Sequence, residues 1–278
     1  MSRLKARNTF FIVTQRIVLV LIIGYISFGA LLYGKQRSMI YHPTPEISLS
    51  DYQSIHIKND GISIKVWKIH SDKKRAVIFF GGNADAVECY IPIFDKLLPN
   101  HSVYFVNYRG YGGTGGEPSE QALFSDAIAV YDVVKQHSPH ISVIGRSLGT
   151  GVASFLASKK QVKHLILITP FDSILNIAQD MFPFYPMSIL LKDKFSSIEW
   201  AANIKANVFM MVADQDHTVP PKHARRLAAS FKPEQVTVQW WHDAGHVNIS
   251  HQQGFYEAIK QFLTSTKVES SKPLSPES

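Results

Sequence analysis

A serine between two glycines is the strongest chemical signal in this sequence. The run Gly145-Arg146-Ser147-Leu148-Gly149 follows a short apolar segment, residues 141–144, and precedes a helical stretch, residues 148–159. A serine on such a tight strand-to-helix turn adopts a strained backbone, and side chains at the flanking positions would obstruct the turn. The pattern favours a nucleophilic Ser147 over a surface serine on an ordinary turn.

A serine hydroxyl attacks only when a base accepts its proton, and that base needs an acid to orient it. On a strand–turn–helix framework of this kind, the acid and then the histidine follow the serine along the chain. His246 ends a turn that directly follows the apolar segment 236–241, which makes it the predicted base. Other histidines compete with it and are interpreted as surface or loop residues: His217, His242 and His251.

Two carboxylates follow the apolar segment 208–212 and compete for the role of the acid. Asp216 is the predicted acid, whereas Asp214, nearer the end of the segment, stays open as a turn residue or the true acid. Asp243 is too close to His246 in sequence to be the usual partner. An open α/β sheet places its site at the carboxyl ends of its strands, where these loops are expected to lie.

A tetrahedral intermediate needs backbone N–H donors for its oxyanion. One donor is expected from Leu148, the residue after the nucleophile. The other is expected from Asn83 in the loop Gly81-Gly82-Asn83-Ala84, because its glycines allow the backbone to approach the substrate closely. The alternative interpretation of this loop is a plain glycine turn.

Short apolar runs alternate with helical stretches through most of the chain. The runs at 76–80, 102–107, 141–144, 165–169 and 208–212 are each typical of a strand buried on both faces in a parallel sheet. Two alternating segments, 52–58 and 62–69, flank Asn59-Asp60-Gly61 and predict a hairpin. The predicted fold class is α/β, a mostly parallel twisted sheet with an antiparallel N-terminal edge.

Residues 172–204 form a longer segment than an ordinary crossover between strands. We expect a small helical cap over the carboxyl edge of the sheet, with one long crossover helix as the alternative. The segment carries an apolar cluster, and its side chains are the expected substrate-binding residues: Phe182, Phe184, Tyr185 and Met187.

An uncharged apolar run, residues 17–33, lies near the N-terminus and follows four basic residues in the first sixteen positions: Arg3, Lys5, Arg7 and Arg16. It predicts one transmembrane helix, a signal-anchor, with a cleaved signal peptide as the rival interpretation. The charge bias favours a catalytic domain on the non-cytoplasmic side. We expect a cytoplasmic stub and anchor at 1–34, a linker at 35–50, the α/β domain at 51–265 and a disordered tail at 266–278.

The choice of membrane rests on a glycosylation sequon, Asn248-Ile249-Ser250. It starts two residues past His246, where a glycan would crowd the site. This favours a bacterial inner membrane with the domain facing the periplasm, and a secretory-pathway membrane is the alternative.

The sequence argues against several other classes of function and site. The net charge of +7 is spread along the chain without a run of five basic residues, which argues against nucleic-acid binding. The glycine-rich run at 110–115 fits G-x-G-x-x-G, but Gly116-Glu117-Pro118 separates it from the next helix, which argues against a nucleotide. Cys89 is the only cysteine, is interpreted as a small core residue, and excludes an intrachain disulfide. No metal site and no cofactor are predicted.

Several runs together resemble the membrane-anchored α/β-hydrolase-domain (ABHD-type) serine hydrolases. They are residues 36–43, 108–112, 116–120, 145–157 and 169–173, with the pairs Asp216…Val219-Pro220 and Gly245-His246. The resemblance covers residues 36–263 and implies the α/β-hydrolase fold, with Ser147, Asp216 and His246 as a catalytic triad. The family's oxyanion loop usually reads H-G-N-A-G, so Gly81 and Asp85 depart from it at the first and last positions.

The expected activity is hydrolysis of carboxylic esters or thioesters through an acyl-enzyme. The apolar cap and the anchor favour a lipid-like or long-acyl substrate taken from the bilayer. The alternatives are a catalytically silent binding or scaffold protein on the same fold, a peptidase, and an acyltransferase. The oligomeric state is not readable from the sequence.

Overall fold

The computed structural model of the protein describes residues 2–265 of the chain. Within this range the chain forms nine α-helices and eight strands. The strands are β1 (Gln53–Asn59), β2 (Ile62–Ile69), β3 (Arg75–Phe80), β4 (Ser102–Val106), β5 (His140–Arg146), β6 (His164–Ile168), β7 (Asn207–Ala213) and β8 (Val236–Trp241). The helices are α1 (Ser2–Ile40), α2 (Ile91–Leu97), α3 (Glu120–His137), α4 (Leu148–Lys159), α5 (Ile174–Met181), α6 (Met187–Leu190), α7 (Ser197–Trp200), α8 (Pro221–Ala228) and α9 (Phe255–Thr264).

The eight strands form one sheet in the order β1-β2-β4-β3-β5-β6-β7-β8. β2 runs antiparallel to both of its neighbours, and every pairing from β4 to β8 is parallel. The hairpin between β1 and β2 closes over Asp60-Gly61, both with positive φ (48° and 76°), as a tight two-residue turn requires. The predicted mostly parallel sheet with an antiparallel N-terminal edge is confirmed.

Helices cover both faces of the sheet, because successive residues of the central strands point to opposite sides. Ile78 and Phe80 of β3 belong to one core cluster, together with buried side chains of α3, α4 and α8. Val77 and Phe79 belong to the other cluster, with buried side chains of α2 and α9. The sheet is thus a rigid middle layer whose strand ends can fix loop residues relative to one another.

The segment 172–204 consists of α5, α6 and α7 followed by a 3-10 turn at Ala201–Asn203. It is not one long crossover helix. The Ser173 hydroxyl accepts a hydrogen bond from the Asn176 N–H (2.9 Å) and so begins α5. The neighbouring Asp172 is fully buried and accepts a hydrogen bond from the Nδ1–H of His223 on α8 (2.8 Å). This buried pair fixes the base of the cap to the main domain.

Helix α1 differs from expectation at its C-terminal end. It continues to Ile40, so residues 35–40 of the expected linker are helical. The physical reason is tertiary: the Gln36 side chain donates to the Leu190 carbonyl (3.1 Å) and accepts from the Lys192 N–H (2.6 Å). The helix is long and apolar enough, by length and composition, to cross a membrane.

The last helix, α9, follows a 3-10 turn at Asn248–His251, and Gly254 with φ 81° precedes it. Two smaller expectations have different outcomes. Cys89 lies exposed in a 3-10 turn, so its interpretation as a core residue is wrong. The expected disordered tail at 266–278 lies outside the described residues.

Candidate active site

Ser147 occupies the sharp turn between β5 and α4. Its backbone has φ 49° and ψ −117°, a region that residues with side chains rarely adopt. The Ser147 N–H donates to the Ile168 carbonyl of the next strand (2.9 Å), which anchors the turn to the sheet. A Cβ on Gly145 would overlap the backbone of Gly149, so the first glycine of the motif is a steric requirement.

The second glycine of the motif sits against a different strand. A Cβ on Gly149 would overlap the carbonyl groups of Phe80 and Gly81, at the end of β3. The absence of a side chain therefore lets α4 start directly beside the loop after β3. This brings the nucleophile and the glycine-rich loop to the same point of the sheet edge.

The structure brings Ser147, His246 and Asp216 together from the ends of β5, β8 and β7. The His246 Nε2 lies 2.8 Å from the Ser147 Oγ, and the His246 Nδ1 lies 2.7 Å from the Asp216 Oδ2. Because the Nδ1 faces a carboxylate, it carries the proton of the neutral ring and leaves the Nε2 free to accept from the serine.

The loop after β7 holds Asp216 in place. Its Oδ1 accepts hydrogen bonds from the N–H groups of Thr218 (2.9 Å) and Val219 (2.7 Å), and the side chain is buried. A carboxylate with this many donors is rigid and remains ready to stabilise a charged imidazole. The alternative acid, Asp214, points to His242 instead (3.4 Å), and its side chain is 38% exposed.

Among residues 2–265, none of the competing histidines makes a hydrogen bond with Ser147. His217, His242 and His251 are all exposed. The arrangement therefore uses Asp216 and His246, the predicted pair, and leaves Asp214 at the surface beside His242 and Arg225.

The two residues expected to supply oxyanion donors line the same cavity as Ser147. Asn83 and Leu148 both line that cavity, and neither N–H makes a backbone hydrogen bond or finds a side-chain acceptor among residues 2–265. The Asn83 side chain turns the other way, where its Oδ1 accepts from the His42 N–H (2.7 Å) and the Tyr111 hydroxyl (2.9 Å). Burial raises the pKa of Tyr111 to about 12, so this hydroxyl stays protonated as a donor.

An ion pair stands behind the loop after β3. The Arg146 Nη1 contacts both carboxylate oxygens of Asp85 (2.7 and 2.6 Å) and the Tyr90 hydroxyl (2.6 Å). The Asp85 Oδ2 also accepts from the Gly82 N–H (2.9 Å). Burial disfavours the charged guanidinium, but the contacts with Tyr90 and Asp85 outweigh it and hold the pKa of Arg146 above its usual value. The charge of Asp85 is therefore neutralised by Arg146, the residue that directly precedes the nucleophile.

Arg146 reaches a second loop of the site. Its Nη2 lies 3.4 Å from the carbonyl oxygens of His246 and Val247. One guanidinium thus touches the loop that carries Asn83 and the loop that carries the base. The sequence alone gave no signal for this contact, because the residues are far apart along the chain.

An apolar cavity of about 250 Å³ opens beside Ser147. The cap contributes side chains from α5 and α6 and the residues around them: Ile174, Ile177, Ala178, Met181, Phe182, Met187 and Leu191. The end of α1 contributes four more, which sequence reasoning missed: Leu32, Gln36, Met39 and Ile40. The last three fall within the run 36–43 that carries part of the family resemblance, which is the one signal that could have pointed to them.

Only two of the four expected substrate-binding side chains line this cavity, Phe182 and Met187. Phe184 is 85% exposed on the outside of the cap. Tyr185 packs on α1, where its ring stacks on Tyr25 with a centroid distance of 4.4 Å. The physical reason is that α1 occupies the face of the cap toward which Tyr185 points.

Hydrogen bonds to two other loops hold the glycine-rich run at 110–115 in place. The Tyr111 hydroxyl reaches Asn83, and the Gly112 N–H donates to the Thr44 carbonyl (3.0 Å). Arg109, which directly precedes the run, binds Asp126 on α3 through two 2.7 Å hydrogen bonds. Among residues 2–265, no group of three or more His, Cys, Asp or Glu side chains could hold a metal ion.

A family model described as serine hydrolase matches residues 125–265, which include Ser147, Asp216 and His246. The chain belongs to the serine hydrolase family. Relatives of this serine hydrolase include an uncharacterized protein of Mycobacterium tuberculosis, Rv2307c, 31% identical over 90% of this chain and 95% of its own. Another is the α/β-hydrolase domain-containing protein WAV2 of Arabidopsis thaliana, 29% identical over 76% and 81% of the two chains.

Solved structures support the same α/β-hydrolase fold. The esterase Pf2001 of Pyrococcus furiosus superposes with a TM-score of 0.66 at 20% identity, covering 81% of this serine hydrolase and 98% of the esterase. The predicted fold class and the predicted resemblance to α/β-hydrolase-domain proteins are confirmed.

The ion pair behind the loop generates a prediction. Asp85→Asn should destabilise the protein by about 3 kcal/mol, because it leaves the buried Arg146 guanidinium without its partner. Arg146→Met should cost less, because the Asp85 carboxylate that it leaves unpaired is only partly buried. Each should also lower kcat between about tenfold and a hundredfold, since the Asn83 and His246 loops lose their shared contact. The double variant should be more stable than the sum of the two losses predicts, as measured by thermal unfolding in detergent.

The exposed pair of Lys160 and Asp132 (2.6 Å) provides the control. Asp132→Asn should cost less than about 1 kcal/mol and leave kcat unchanged. Strict additivity of the two losses in the Asp85 and Arg146 double variant would contradict the prediction.

Proposed function

We propose that this serine hydrolase cleaves carboxylic esters or thioesters through an acyl-enzyme on Ser147. The observation that carries the proposal is the unbroken chain of contacts from Asp216 through His246 to the Ser147 Oγ, at 2.7 and 2.8 Å. These are hydrogen-bond distances of a nucleophile, a base and an orienting acid. Ser147 lines an apolar cavity together with Asn83 and Leu148, the two residues expected to supply the oxyanion donors.

The first half of the reaction forms the acyl-enzyme. The Ser147 Oγ attacks the carbonyl carbon while its proton passes to the His246 Nε2, and Asp216 stabilises the resulting imidazolium. The N–H groups of Asn83 and Leu148 bind the oxyanion of the tetrahedral intermediate. The intermediate collapses when the bond to the leaving alcohol or thiol breaks and that group takes the proton from His246.

The second half releases the acid. A water molecule gives a proton to the His246 Nε2 and attacks the acyl carbonyl, and the same N–H groups bind the second oxyanion. Collapse of this intermediate returns the proton to the Ser147 Oγ and frees the carboxylic acid. Each bond made is matched by one broken, and no co-reactant other than water is needed.

The surroundings of the site favour a lipid-like or long-acyl substrate. The cavity is lined almost entirely by apolar side chains. Outside it, the cap exposes large apolar side chains, Phe184 at 85% and Ile189 at 79%. These lie next to α1, since the Phe184 carbonyl accepts from the Tyr25 hydroxyl (2.7 Å). Exposed apolar patches of this kind mark contact with a membrane or another apolar surface.

Helix α1 supports placement at a membrane. Most of its apolar side chains between Phe10 and Leu31 are exposed, which is unfavourable in water and favourable in a bilayer. We place the catalytic domain on the non-cytoplasmic side, from the excess of basic residues before the span. A bacterial inner membrane with the domain in the periplasm suits the sequon near His246 best, and a secretory-pathway membrane is the alternative.

The nucleophile is tested by covalent labelling. A fluorophosphonate probe should label the wild type in detergent-solubilised membranes, and Ser147→Ala should abolish labelling because the attacking oxygen is gone. Ser154→Ala, which changes a buried serine of α4 outside the site, is the matched control and should label like the wild type. A well-folded wild type without labelling would contradict the proposal.

Substrate entry is tested with esters presented in two forms. Phe184→Glu and Ile189→Glu should slow hydrolysis of a long-chain ester in phospholipid vesicles by roughly tenfold, because charged side chains oppose burial of the cap in the bilayer. Hydrolysis of a short, water-soluble ester should stay within about twofold of wild type, since neither side chain lines the cavity.

Ile93→Glu, at an exposed apolar position on α2, is the control and should change neither rate. If the wild type cleaves short soluble esters as fast as long-chain esters in vesicles, the lipid-like substrate is wrong.

A further inference from the structure

The end of α1 has a one-sided burial pattern. Gly29, Leu32 and Gln36 are buried and Ile40 is half-buried, at spacings of three and four residues, while the positions between them are exposed. This spacing places the four on one stripe of the helix. Leu32 is 8% exposed and its neighbour Leu31 is 55% exposed, so the stripe has a sharp boundary. The helix therefore docks on the domain along one face and is not a free tether.

Specific contacts hold this face in place. The Gln36 amide bridges the Leu190 carbonyl and the Lys192 N–H, and the Arg37 Nε binds Asp193 (3.0 Å). One turn earlier, a Cβ on Gly29 would lie 3.1 Å from the Tyr185 ring, so the glycine allows the ring to approach the helix. These contacts fix both the rotation and the height of α1 against the cap.

The docked face borders the cavity beside Ser147. Leu32, Met39 and Ile40 line it opposite side chains of the cap such as Phe182 and Met187. The chain then continues directly to the loop after β3, since the His42 N–H donates to the Asn83 Oδ1 (2.7 Å). One continuous segment thus forms a wall of the cavity and supports an expected oxyanion donor.

We propose that the docked face of α1, not its exposed face, forms one wall of the active site, and that Leu32, Met39 and Ile40 determine the length of acyl chain that the enzyme accepts. This proposal rests on the proposed function for its substrate class. An acyl chain bound to the Ser147 oxygen extends along α1 between the helix and the cap. A larger side chain at Leu32 shortens that space, and a smaller one lengthens it.

The test uses the full-length protein in detergent and a series of alkyl fluorophosphonates with chains from four to sixteen carbons. Leu32→Trp should slow labelling of Ser147 by the longest probes by roughly tenfold or more, because a filled apolar pocket discriminates strongly against added methylenes. Labelling by the four-carbon probe should stay within about twofold of wild type, which also shows that the variant is folded. Leu31→Trp, the exposed neighbour, is the matched control and should keep the wild-type profile.

A second substitution keeps the proposal testable if the Leu32→Trp protein does not fold. Leu32→Ala enlarges the cavity and should move the preferred chain length upward. Wild-type profiles in both folded Leu32 variants, or the same shift in Leu31→Trp, would overturn the proposal.

A binding measurement separates this proposal from the proposed function. In a Ser147→Ala background, binding of dansyl-aminoundecanoic acid should weaken roughly tenfold with Leu32→Trp and stay unchanged with Leu31→Trp. If no fluorophosphonate labels the wild type but this difference appears, the hydrolase mechanism fails and the wall formed by α1 stands. If Leu32→Trp and Leu31→Trp bind the fatty acid equally well, α1 does not form a wall of the acyl site, whatever the labelling shows.

Discussion

The backbone of Ser147 is the constraint on which the rest of the site depends. A side-chain-bearing residue at φ 49° persists only where its surroundings hold it, and here three strands take part. Gly145 and Gly149 allow α4 to start against the end of β3, and the Ser147 N–H is tied to β6. The same close packing brings the start of α4 against the loop after β3, so Leu148 and Asn83, the two proposed oxyanion donors, line one cavity. The strained backbone of the nucleophile and the position of the proposed oxyanion donors thus depend on the same packing contact.

The two carboxylates near Ser147, Asp85 and Asp216, are each paired with a neighbouring side chain. Asp85 would repel a developing oxyanion if it faced the substrate, but Arg146 and the Gly82 N–H hold its carboxylate behind the loop. Asp216 is likewise buried and saturated with donors, so its charge acts on His246 alone. The cavity itself remains apolar, which strengthens hydrogen bonds to an oxyanion and suits a hydrocarbon chain. Helix α1 completes this apolar enclosure from outside the α/β domain.

The parts of the site that the sequence predicts are those with a local cause. The glycines around Ser147 are required by a turn of five residues, and apolar strands before Asp216 and His246 mark the ends of a parallel sheet. Contacts between segments that are far apart along the chain produce no such local pattern in the sequence. Gln36 meets Leu190, and Arg146 meets Asp85, only because the fold brings them together. The cap residues show the limit clearly: composition marked Phe182 to Met187 as apolar, but only packing against α1 decides that Tyr185 faces the helix and Phe182 the cavity.

In the proposed mechanism the acyl group passes through Ser147, and direct detection of the acyl-enzyme is the sharpest test of that step. The wild type would be mixed with a long-chain p-nitrophenyl ester, quenched in acid within the first turnovers, and digested for mass spectrometry of the peptide that holds Ser147. We expect the mass of the acyl group on Ser147, and loss of both the adduct and the hydrolysis in Ser147→Ala. Hydrolysis that continues in Ser147→Ala, with no adduct on the wild type at any time, would contradict it.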